Sequence, residues 1–69
     1  MDTYRVVWYN QVGNYIWIAL YDEFANQIGG PLMIPVNSTR SEAEAKLVDL
    51  DWAPSGANFV HEGNCPEPV

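Results

Sequence analysis

The chain has 69 residues, 48% of them apolar, and carries nine acidic against three basic side chains for a formal charge of −6. That length and apolar content support one compact core and exclude two domains. The charge repels phosphate backbones, so no direct nucleic-acid binding is expected, and it draws the chain toward basic surfaces, including those that normally hold nucleic acid.

Cys65 is the only cysteine and His61 the only histidine, which rules out an intramolecular disulfide and leaves too few soft ligands for zinc; no metal or cofactor is expected. Met1 to Arg5 has no basic stretch ahead of an apolar one. No apolar run approaches the roughly 20 residues of a membrane span. These features predict a soluble protein of a reducing cytoplasm.

Thr3 to Asn10 and Tyr15 to Asp22 are dense in Val, Ile, Trp and Tyr, with turn chemistry in Gln11-Val12-Gly13-Asn14, and read as a β-hairpin. With Asn10 facing Tyr15, Trp8 lies opposite Trp17 and Val7 opposite Ile18. One face then carries Val7, Tyr9, Ile16, Ile18 and Leu20, the other Tyr4, Val6, Trp8, Tyr15, Trp17, Ala19 and Tyr21. Phe24 to Gly30 runs into Gly29-Gly30-Pro31 and reads as a connection. Leu32 to Val36 resumes an extended pattern, in which Pro35 implies either a sheet edge or a position facing away from the neighbouring strand.

Ser41 and Glu44 form a capping-box pattern, and Ala43, Leu47 and Leu50 recur on one helical face, predicting a helix from Ser41 to Asp51 laid on the aliphatic face of the sheet. Glu42, Glu44, Asp49 and Asp51 form its acidic rim. Pro54 and Gly56 end the helix, Ala57 to Glu62 supplies a last strand, and Asn64 to Val69 is an extended, poorly anchored tail. The expected fold is α+β: a small antiparallel sheet of three to four strands packed against one helix, in the order β-β-β-α-β. Residues 1–63 form the domain and 64–69 the tail.

No phosphate-binding loop, dinucleotide fingerprint, nucleophile elbow or metal-ligand pair is present, so no enzymatic activity is expected. His61 and Glu62 are neighbours on a strand and point to opposite faces, which prevents an acid–base pair; His61 reads as a surface residue and Cys65 as an incidental thiol. The aromatic face is similar to the stacking platforms of single-strand nucleic-acid binders. Only Arg5, Arg40 and Lys46 are there to meet phosphates, however. That leaves a second core layer, covered by the Phe24 to Gly30 connection and the tail, or a protein-binding patch on Trp8, Trp17 and Tyr15 through which the chain pairs, as an accessory or structural module or a homodimer.

From Ile34 onward the chain resembles, without a gap, the gene-two-product family of T-odd podoviruses, small early bacteriophage proteins that inhibit bacterial RNA polymerase. The resemblance runs through Ile34-Pro35-Val36, the capped helix with Leu47, Trp52, Pro54-Ser55-Gly56, Phe59-Val60, Cys65 and Pro68. It implies a sheet on one helix and a protein that takes over the host by docking in the downstream DNA channel of the polymerase, against the jaw of the largest subunit, in the bacterial cytoplasm. Glu42 and Asp49 fall on acidic positions of the family helix. Two basic residues of the family's last strand make its principal polymerase contacts, and His61 and Gly63 stand in those slots. The candidate partner-binding residues are therefore Glu42, Asp49, Glu44, Asp51, His61, Trp8, Trp17 and Tyr15. A DNA mimic directed at another host enzyme is a further reading of the same acidity.

Overall fold

The computed structural model describes residues 2–67. The readings that fall on Met1, Pro68 and Val69 lie outside them. Five elements follow in order: β1 (Thr3–Val12), β2 (Tyr15–Tyr21), β3 (Gln27–Pro35), α1 (Arg40–Asp49) and β4 (Asn58–Gly63). The strands form one sheet in the order β3-β2-β1-β4. This is the α+β arrangement of one helix on one small sheet, with one refinement: β1, β2 and β3 are antiparallel neighbours, whereas β4 joins β1 in parallel. The cause is the helical connection. α1 carries the chain from the β3 edge to the opposite edge, and a strand reached through such a crossover arrives pointing the way the earlier one did.

The first hairpin closes on Gly13 and Asn14, with Val12 opposite Tyr15 and Gln11 opposite Ile16. Between Gln11 and Trp8 the ladder shifts: Tyr9 and Asn10 together oppose Trp17, and Trp8 then faces Ile18. This β-bulge corrects the expected Trp8 to Trp17 pairing. One extra residue inverts the parity of the rest of β1, and each side chain beyond it changes face. Val6 and Trp8 thereby join Ile16, Ile18 and Leu20 in the core, which Ile34 completes from β3 and Ala43 and Leu47 complete from α1.

The connection between β2 and β3 is shorter than expected. Asp22 gathers it by accepting the backbone N–H groups of Phe24 and Asn26 at 2.9 and 2.8 Å, and β3 begins at Gln27. The strand continues through Gly29-Gly30-Pro31, with register shifts and a cis Gly30–Pro31 bond, instead of breaking there. Gly29 is needed for a steric reason: the Trp52 ring lies where a Cβ would stand. Pro35 sits on the edge strand, as its missing N–H predicts.

α1 starts at Arg40, one residue before the expected Ser41, and its cap lies two residues before the expected one. Thr39 is the N-cap: its side chain accepts the N–H of Glu42, whose carboxylate accepts the N–H of Thr39. At the other end Leu50 caps the helix and Asp51 turns left-handed at φ 61°. Asp51 N–H bonds Val48 C=O and Trp52 N–H bonds Leu47 C=O, so a Schellman motif, and not Pro54, stops the helix. Leu50 falls off the buried stripe and stays exposed.

Candidate interaction surfaces

The helix side of the molecule presents Glu42, Asp49 and Asp51 to solvent. Glu44, expected beside them, turns inward instead: its Oε2 lies 2.7 Å from Nε2 of His61. The His61 side chain is only 3% exposed, because register places it on the core face of β4 next to Val6. This corrects the expectation of a surface histidine. Trp8 is buried at 2% exposure and donates its indole N–H to Nδ1 of His61 at 3.0 Å. An indole nitrogen only donates, so Nδ1 must offer a lone pair, which places the ring proton on Nε2, facing Glu44. One histidine thus ties β1, β4 and α1 together, and neither Trp8 nor His61 is available to a partner. Gly63, the other position where the resemblance has a basic residue, turns at φ 79° with the carbonyl of Trp8 where a side chain would stand.

Two of the three cations are committed within the fold. Arg5 forms a two-pronged contact with Glu62, at 2.5 and 2.8 Å, and the guanidinium holds that carboxyl below the usual carboxylate range while Glu62 raises Arg5. Arg40 donates to the carbonyl of Pro66 at 2.8 Å and contacts Cys65 Sγ. Together with the Asn64 side chain, which bonds the Tyr9 carbonyl, this anchors the segment expected to be a loose tail as far as Pro66. Among the described residues, Asp2, Asp22, Glu23, Glu42, Asp49, Asp51 and Glu67 have no ion-pair partner. Asp22 is held below its ordinary range by the N–H groups it accepts, chiefly that of Asn26.

The opposite face of the sheet carries no helix. Alternation and register place Arg5, Val7, Tyr9, Val12, Tyr15, Trp17, Tyr21, Met33, Val60 and Glu62 on it. Of the expected aromatic platform, Tyr15, Trp17 and Tyr21 are here. Tyr4 and Trp8 are on the core side, where Tyr4 packs on Phe59 with ring centroids 6.1 Å apart. The connection expected to cover this face is largely β3, and the described part of the expected tail is tied to α1 through Cys65 and Pro66. Tyr9 and Tyr21 share a hydroxyl–hydroxyl bond of 2.9 Å, which raises Tyr9 above its ordinary range. Beside them an open apolar cleft of about 440 Å³ is lined by Tyr9, Asn10, Val12, Trp17 and Pro31. Tyr9 is missed as a site residue because the bulge that sets its direction leaves no mark in the hydrophobic pattern, and Val12 because the turn is two residues long instead of four, which puts Val12 on the strand opposite Tyr15.

Among the described residues no grouping of His, Cys, Asp and Glu could hold a metal ion, and no helix is long and apolar enough to cross a membrane. Compared with known proteins, the chain matches no protein-family model, no curated protein and no solved structure.

Proposed function

We propose that this chain is a non-catalytic, phage-type inhibitor that docks its acidic helix side on a basic surface of a host macromolecular machine, with the downstream channel of bacterial RNA polymerase as first target. The observation that carries this reading is the charge left uncompensated on α1 and around it. Glu42 and Asp49 stand exposed on one helix, seven residues apart, and the nearby Arg40 is turned toward the C-terminal segment. Such charge acts on a basic channel mainly by speeding encounter and fixing orientation. The resemblance from Ile34 onward supports the choice of target. His61 is buried and Gly63 lies in a backbone turn, so in this reading the helix carries the contact in place of the last strand.

The test is binding of the folded chain to purified bacterial RNA polymerase across ionic strength, with an in vitro transcription readout. Glu42→Gln combined with Asp49→Asn removes two charges and keeps the capping geometry, since Gln serves at that capping-box position. Association of the double variant should slow several-fold at low salt and its salt dependence should flatten, with melting changed by no more than about 0.5 kcal/mol. A wild-type chain that neither binds polymerase at low ionic strength nor inhibits transcription would sink the reading.

A further inference from the structure

We infer that the helix-free face of the sheet is a homodimer interface, on which two copies pack sheet against sheet about a two-fold axis with their helices outward. This inference stands apart from the polymerase reading and uses the other side of the molecule.

On a chain of charge −6, the only charged side chains of this face among the described residues are Arg5 and Glu62, already matched to each other. The seven unpaired carboxylates sit before β1, in the β2–β3 loop, on or just after α1 and in the C-terminal segment, none at an outward strand position. Two copies can therefore meet here without pressing like charges together, whereas a basic partner is drawn to the far side. The face is also self-complementary. A two-fold contact sets a surface against itself, and a face with one cation and one anion can exchange partners across the axis, Arg5 of each copy with Glu62 of the other. The same face offers both a hollow, the cleft at Trp17, and exposed apolar side chains in Tyr15 and Met33 to fill it.

The molecule measures 34 × 23 × 20 Å, and the ten residues of β1 run about the length of the long axis. A face bounded by the two longer dimensions matches the roughly 800 Å² that each partner of a standard interface buries. Sheets stacked about 10 Å apart are an ordinary way to bury such a face.

Sedimentation equilibrium of the 7.8 kDa chain from micromolar to millimolar concentration tests this. Mass should rise toward the dimer with concentration. Met33→Asp, at an exposed position, should hold it at the monomer with an unchanged circular dichroism spectrum, while Leu50→Asp, at the end of α1, should leave association unaffected. Arg5→Glu and Glu62→Arg alone should each weaken association by about tenfold or more, and the two together should restore it. A monomer at every concentration overturns the inference, as does association indifferent to Met33→Asp and to both charge reversals. Hydrogen-exchange protection of the face that appears only when polymerase is added to a monomeric chain assigns the face to the host protein and equally overturns it.

Discussion

His61 spends both ring nitrogens inside the fold, and its two partners are not equivalent. Glu44 is about one-third exposed and can turn to water if the ring is removed. The indole N–H of Trp8 cannot, because Trp8 is buried. His61→Leu should therefore cost about 1–3 kcal/mol, mostly from the stranded indole donor. Trp8→Phe combined with His61→Leu should cost less than the sum of the two single changes, since removing donor and acceptor together leaves neither unsatisfied. Urea unfolding of the four proteins closes the cycle, and strict additivity would mean that the bond contributes nothing. The position of His61 was half legible in the sequence: strand alternation separates it from Glu62, which the structure keeps, but which of the two faces the core depends on a pairing with β1 more than fifty residues away.

At the scale of the elements, the helix was legible because Ala43 and Leu47 lie four apart and both are buried. Its start was not, because Thr39 with Glu42 and Ser41 with Glu44 are overlapping frames of one capping pattern. Tertiary structure decides between them by giving Glu44 to His61. The β1 bulge was illegible for a related reason. Val6, Val7, Trp8 and Tyr9 are apolar in succession, so neither parity is favoured by pattern alone, and the register follows from which set meets α1. The open face inherits this ambiguity, which is why Tyr15 and Trp17 were identified on it while Trp8 was placed there incorrectly. At the helix end, Asp51 is an acidic residue with left-handed backbone next to the negative pole of the helix. Asp51→Gly relieves both and should raise stability by about 1 kcal/mol, read as a higher urea midpoint with unchanged slope. A lower midpoint would show that the Asp51 side chain contributes something its backbone conformation does not reveal.

Taken whole, the molecule has two unlike sides held by one sheet: an acidic helix layer and a nearly neutral aromatic strand layer. The parallel seam between β1 and β4 also imposes an order of events in time. β2 is available to β1 as soon as a two-residue turn forms, whereas β4 must close a loop that includes β2, β3 and α1, and closing so long a loop is slow. Until then, the N–H and C=O groups along one edge of β1 are unpaired and can recruit a strand from any neighbour. A chain ending at Ala57 keeps that vulnerable state permanently. It should form sheet-rich aggregates under conditions where the full chain stays dispersed, visible as light scattering that grows with concentration, and a synthetic peptide spanning residues 58–67 should suppress them. During synthesis the exposed edge persists until β4 leaves the ribosome, so this one strand acts as a built-in guard against misassembly.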